Sequence, residues 1–239
     1  MSSNHEALWA WIQEKQVNTI LSSSGISIEY KNEQEGNIII ATRDLHAHER
    51  TLSIPLSLSM NIISAKKSIC LQTLLEKEPM FFKDFPQEIL ALHLMTERRM
   101  GQTSSWAAFL ACLPSTYDTP LFWTNAQLEE LHGTNVYRLS NMMMTQMKQD
   151  YETVHLPFLE KYKDSLCPGS LPVCTFEDYM WACSTIWSRA FGVTTEEGYM
   201  HVLCPILDMF NHNVLIKEPL DSFISYTNQV SPLKNFLET

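Results

Sequence analysis

Apolar and polar positions change period twice along this 239-residue chain. From residue 4 to about 21, Leu8, Trp11, Ile12 and Lys15 recur at helical spacing, and Ser3 or Asn4 can cap the helix they predict. Short β-like pieces follow. Residues 26–30 alternate, Ile38, Ile39 and Ile40 are β-branched in succession, and 51–54 alternate again before Pro55 stops them. Gly36-Asn37 lies between the first two pieces as a turn signal, so two or three antiparallel strands are expected.

From about residue 64 the period becomes helical. Residues 87–100 carry Ile89, Leu92, His93 and Thr96 down one face, behind a Pro86 suited to a helix start. Residues 106–113 form a short apolar helix ended by Pro114, and Thr124-x-x-Gln127 is a capping box for a helix through Leu131. A long helix is expected over 135–165, bent at Pro157, with Met142, Met143, Met144 and Met147 packed in the core. Thr175-x-x-Asp178 opens a further helix that runs into Ser188-Arg189, with Tyr179, Cys183, Ile186, Trp187 and Ala190 as its apolar face. Strands, then helices, then a strand and turn describe an α+β fold in which a helical block interrupts small sheets.

The stretch 184–212 concentrates the chemistry. After a polar turn at 194–198 it becomes an apolar run broken by Pro205, then ends in Asp208, Asn211 and His212. Burying such groups without partners costs a few kcal/mol each, so one another, the backbone or a ligand must satisfy them.

Composition narrows the functions. Hydrophobic content of 45% with 18% charged residues describes a folded globular protein and not a disordered one. The formal net charge is -10 and basic residues occur in nothing larger than pairs such as Lys66-Lys67 and Arg98-Arg99, which argues against nucleic acid and fits a basic polypeptide partner better. No apolar run approaches the ~18 residues of a membrane span. The six cysteines include no Cys-x-x-Cys pair, and the N-terminus does not read as a secretory signal, so reduced thiols in cytoplasm or nucleus are expected. His46-x-His48 and His201-x-x-Cys204 each lack a second pair to complete a metal site, so none is assigned.

Three separated stretches carry a resemblance. The first is Glu35-Gly36-Asn37-Ile38-Ile39-Ile40-Ala41-Thr42-Arg43-Asp44-Leu45, followed by Leu52-Ser53-Ile54-Pro55. The second is Ser105-Trp106-Ala107-Ala108-Phe109-Leu110-Ala111-Cys112-Leu113-Pro114, with Asp118-Thr119-Pro120-Leu121-Phe122-Trp123. The third is Ser188-Arg189-Ala190-Phe191, the polar turn and Asp208-Met209-Phe210-Asn211-His212. In this order they resemble SET-domain protein methyltransferases of the Rubisco large-subunit lysine methyltransferase branch, in which a helical insertion splits the SET domain. The division implied is 1–63 for an N-terminal helix and the first SET half, 64–174 for the insertion, and 175–239 for an incomplete second half.

The resemblance implies methyl transfer from S-adenosylmethionine to a lysine of a protein substrate. Lysine, with a pKa of ~10.4, needs about 4.6 kcal/mol to lose its proton at pH 7. Aligning amine, methyl and sulfur in a narrow channel supplies ~7–11 kcal/mol, so a cradle and a channel matter more than a strong acid or base. By the same resemblance Arg189 takes the carboxylate of the methionine moiety, with Ser188 as its weaker neighbour. Asn211 and His212 hold adenine and the amino group, Asp208 braces their turn, and Glu35 and Asn37 stand where the first strand turn meets the cofactor.

Two departures stand out. The family's Gly-x-Gly at the first turn has Ile38 in second place, and a β-branched residue does not take φ > 0 cheaply. Phe223-Ile224-Ser225-Tyr226 echoes a later family strand, but no Tyr-Gly-Phe follows before Thr239, so the chain reads as C-terminally truncated and no catalytic residue is assigned. A non-catalytic cofactor- or protein-binding SET module is the alternative. Histidine methylation is a further one, known from a neighbouring branch that resembles this chain at Asp-Met-x-Asn-His but carries Trp where Leu207 stands.

Overall fold

The structure, a computed structural model, describes residues 4–15, 25–32, 36–46, 49, 51–79, 86–166, 173–195 and 198–210. Packing divides the chain into two units: one formed by 1–64, 108–112 and 189–239, the other by 65–107 and 113–188.

The first unit holds both sheets. Its helix Asn4–Glu14 buries Leu8 and Ile12, one turn apart on one face. Of the two candidate caps, Ser3 lies outside the described residues and Asn4 is the first helical residue, its Nδ2 donating to the Ala111 carbonyl at 2.7 Å. The helix ends at Glu14; the expected continuation over 16–21 lies outside the described residues.

Strand β1 (Ile26–Asn32) pairs antiparallel with β2 (Gly36–Ala41), with Ile28 opposite Ile39 and Tyr30 opposite Asn37, and a register shift between Tyr30 and Asn32. The third expected strand, 51–54, is not formed. Thr51, Leu52 and Ser53 are all buried, and three buried side chains in succession suit a segment threading the core better than a sheet with one wet face. Asn61 then fixes the start of helix Ile62–Ala65: its Oδ1 accepts from the amides of Ile63 at 2.8 Å and Ser64 at 3.0 Å, while Nδ2 donates to the Ser59 carbonyl at 2.9 Å. Its four-bond capacity explains how a buried amide is tolerated here.

Strands β3 (Phe191–Thr195) and β4 (Gly198–Val202) form a hairpin in which Val193, Met200 and Val202 are buried. The apolar run beyond it bridges Leu203 to Met60 through a mutual pair of 2.9 Å backbone bonds. It then closes in a 3-10 turn, Leu207–Met209, that lies against β2.

The second unit is helical. Helix Pro86–Met100 starts at its proline and buries Ile89, Leu92, His93 and Thr96, as the spacing predicts. Both capping boxes form: Thr124 Oγ1 accepts from the Gln127 amide at 3.4 Å while Gln127 Oε1 accepts from the Thr124 amide at 2.9 Å. At the second, the Thr175 amide donates to Asp178 Oδ2 at 2.8 Å. The first helix stops at Glu129, short of Leu131.

The expected long helix runs from Asn135 to Asp150, widens into a π turn over Tyr151–His155 and resumes over Leu156–Lys161. Pro157 has no N–H to give the Thr153 carbonyl, and the wider turn removes the ring's clash with it. Met147 alone of the four methionines is buried, as expected; Met142 and Met143 are exposed, so most of this stripe does not pack in the core.

Helix Phe176–Arg189 buries Tyr179, Cys183 and Ile186 as expected but leaves Trp187 exposed. It packs within the helical unit. Its ties explain the placement: Asp178 pairs with Arg99, Trp181 Nε1 donates to the Pro114 carbonyl at 2.8 Å, and Tyr117 Oη donates to Thr185 Oγ1 at 2.8 Å. Beneath them His93 stands edge-on to Trp106 and 3.7 Å from Glu97, whose carboxylate accepts from Ser104 Oγ at 2.6 Å and Ser68 Oγ at 3.3 Å. Burial pushes the His93 imidazole down to about 4, so it is neutral near pH 7.

Candidate functional site

Two of the residues singled out from the sequence meet directly. Arg189 closes its helix, and Asp208 sits in the Leu207–Met209 turn beyond the second hairpin. Arg189 Nη1 donates to Asp208 Oδ2 at 3.0 Å and reaches the Asp208 carbonyl at 3.4 Å. The Asp208 side chain is 2% exposed. Burial pushes its carboxyl up to about 6, and the guanidinium beside it pulls the other way without winning.

The pair is not saturated. Arg189 Nε and Asp208 Oδ1 are both buried and hydrogen-bond to nothing described. One donor and one acceptor therefore remain on facing side chains, an unsatisfied arrangement that costs free energy unless a further group meets it.

The backbone that presents Asp208 is strained. Ile206 has φ 69° and ψ -45°, near the rare form of the γ-turn and outside the region a β-branched residue adopts freely. Pro205 marks a turn in the sequence, but nothing in the composition of the run signals this conformation. Such strain persists where surrounding packing over-determines it, and here Ile206 is fully buried.

The other sequence-predicted residues divide. Asn37 lies in β2, half-buried, on the strand the Asp208 turn packs against. The positive φ of the first turn falls on Gly36, at 66°, while Ile38 pairs regularly with Glu29, so the conflict anticipated at Ile38 does not arise. Ser188 belongs to the helical unit and its Oγ donates to the Ser184 carbonyl at 2.7 Å, within its own helix. Glu35, Asn211, His212 and Tyr226 lie outside the described residues. Among the described residues, neither Arg189 nor Asp208 lines the two cavities walled by Met143 and Trp187 in the helical unit. Among the described residues no group of His, Cys, Asp and Glu could hold a metal ion, and no helix is long and apolar enough to cross a membrane.

No protein-family model matches the chain. The actin-histidine N-methyltransferases of Homo sapiens and Dasypus novemcinctus are each 31% identical to it over an alignment of 209 residues that covers 80% of this chain. That of Rattus norvegicus is 32% identical over the same length. The chain spans about a third of the length of these relatives, 32–33%.

Among solved structures, the SET domain of LSMT bound to lysine and AdoHcy matches with a TM-score of 0.71 at 22% identity, over 91% of this chain and 45% of that one. Rubisco LSMT bound to AdoMet matches with a TM-score of 0.70 at 23% identity, over 91% of this chain and 46% of that one. The chain has the fold of a SET domain. It is similar, more narrowly, to the Rubisco LSMT kind in structure and to actin-histidine N-methyltransferases in sequence.

Proposed function

We propose that this chain serves S-adenosylmethionine-dependent N-methylation of a protein side chain. The observation that carries the proposal is the part-buried Arg189–Asp208 pair, with a buried donor and a buried acceptor left over, in a fold whose solved examples hold AdoMet or AdoHcy. The methionine end of that cofactor bears a carboxylate and an ammonium on one carbon. Arg189 Nε suits the first as donor and Asp208 Oδ1 the second as acceptor. The bound cofactor would supply an activated methyl group. The protein's part is to grip the zwitterion and fix its direction, with Asn37 beside the same turn and Glu35, Ser188, Asn211 and His212 as further contacts.

Lysine is the acceptor in the first reading, as in the Rubisco LSMT resemblance. The sequence relatives favour histidine as a second reading, since the 31% identity over 209 residues is to enzymes named for histidine. Both acceptors are nitrogen nucleophiles that must be neutral and aligned, so one cradle serves either. A non-catalytic cofactor- or protein-binding SET module remains the alternative. A cytoplasmic or nuclear location is proposed with it, on the free thiols of Cys112, Cys183 and Cys204.

Calorimetric titration with S-adenosylmethionine and its demethylated product tests the cradle. Radiolabel transfer to protein extract, followed by hydrolysis and separation of methyl-lysine from methyl-histidine, tests the rest. Saturable binding with transfer supports the enzyme, binding without transfer supports the non-catalytic module, and no binding removes the methyl-donor reading.

A further inference from the structure

Among the described residues, the helical unit carries an apolar surface that nothing covers. Val136, Leu139, Met142 and Met143 on the Asn135–Asp150 helix and Trp187 on the Phe176–Arg189 helix are 41–56% exposed. Contiguous exposed apolar side chains of this size mark interaction sites. They are also shaped: a cavity of about 380 Å³ is walled by Leu121, Val136, Leu139, Met143 and Trp187. That is within the range of pockets that take whole side chains. Ser184 lies in its lining, 6% exposed, with an Oγ that hydrogen-bonds to nothing described.

Beyond the ridge of Met143 and Trp187 the groove continues into a second cavity of about 200 Å³, and its chemistry changes. Glu88 and Asp150 line it over a floor of Tyr179 and Cys183. Burial makes the Tyr179 and Cys183 side chains harder to ionise, and the negative charges of Glu88 and Asp150 are among the groups that push both further in the same direction. Glu88 Oε2 stands 2.8 Å from His155 Nε2 without hydrogen-bond geometry, and Asp150 Oδ1 accepts from Gln146 Nε2 at 2.8 Å.

We propose that this groove docks a protein segment that places an apolar side chain in the larger cavity and a lysine or arginine in the acidic one. Charge complementarity selects that occupant: the cleft is lined by carboxylates, its wall is an indole that favours cations, and the chain carries a net charge of -10. Flexible methionines at the junction suit a surface that accepts more than one apolar side chain. Of its lining residues Ser188 is also a proposed cofactor contact, and docking on the others does not require bound cofactor.

Fluorescence anisotropy with a labelled peptide of alternating lysine and leucine tests it on the whole chain. The expected result is saturable binding that weakens with added salt, is lost when glutamate replaces lysine in the peptide, and weakens about tenfold in Leu139→Lys and in Asp150→Asn. Both substitutions are at positions outside the proposed cofactor contacts, so S-adenosylmethionine titration of the same variants should be unchanged. Equal binding of the glutamate peptide, or unchanged affinity in both variants, overturns the proposal. So does a dimer in sedimentation that Leu139→Lys dissociates, or footprinting that finds Met143 and Trp187 covered in the peptide-free monomer; these assign the groove to a second copy or to the chain itself.

Discussion

Arg189 and Asp208 hold each other across 19 positions of chain, with Nη1 donating to Oδ2 at 3.0 Å and one buried atom on each side left unbonded. Removing the guanidinium alone strands a buried carboxylate, which typically costs about 3–5 kcal/mol. Protonation of a carboxyl already lifted to about 6 lowers that cost. Arg189→Ala should therefore lose about 3 kcal/mol in urea denaturation at pH 7, and Arg189→Ala with Asp208→Asn should recover at least half of it. Cofactor binding should be absent in both. A double variant no more stable than the single one would show that the pair is not coupled.

The acidity of Asp208 sets a sign for the effect of pH. Its folded pKa of about 6 lies above the ordinary 3.8, so the folded state takes up the proton first. The stability this contributes is fully present below about 3.8 and is lost as pH rises through about 6, an effect of roughly 3 kcal/mol for a buried group. Asp208→Asn should abolish that part of the profile. Denaturation midpoints between pH 3.5 and about 7 decide it; identical profiles for the variant and the parent would mean that Asp208 ionises normally.

How much of this was legible in sequence depends on range. The capping boxes at Thr124 and Thr175 are complete within four residues, and both form where the sequence places them. Arg189 and Asp208 could be chosen by chemistry, but their contact is made through a hairpin and a turn, and local spacing does not encode it. Alternation over 51–54 misled because three successive side chains are buried. The methionine stripe misled for the opposite reason: apolar residues at helical spacing identify a face without saying that anything covers it, and Met142 and Met143 stand uncovered.

His93 should oppose Asp208 over nearly the same interval. Burial lowers its pKa to about 4, so the stability it contributes is present above the unfolded value of about 6.5 and is lost as pH falls through about 4. The size is again roughly 3 kcal/mol, and the two slopes partly cancel in the native protein. In the Asp208→Asn background the loss of stability on acidification should therefore become steeper, and adding His93→Gln should flatten it. A His93 imidazole that titrates near 6.5 by NMR would remove this prediction.

Ile206 offers the sharpest test of the backbone that presents Asp208. At ordinary helical or strand positions alanine is more stable than glycine by about 0.5–1 kcal/mol. At φ 69° the order should reverse, because glycine accepts that conformation freely and alanine does not. Both replacements also delete a fully buried isoleucine side chain, so each should destabilise by several kcal/mol relative to the parent. The informative quantity is the difference between them, in which the cavity largely cancels: Ile206→Gly should exceed Ile206→Ala by about 1 kcal/mol. If alanine is the more stable, the left-handed bend at 206 is not held in solution, and Asp208 reaches Arg189 by some other path of the chain.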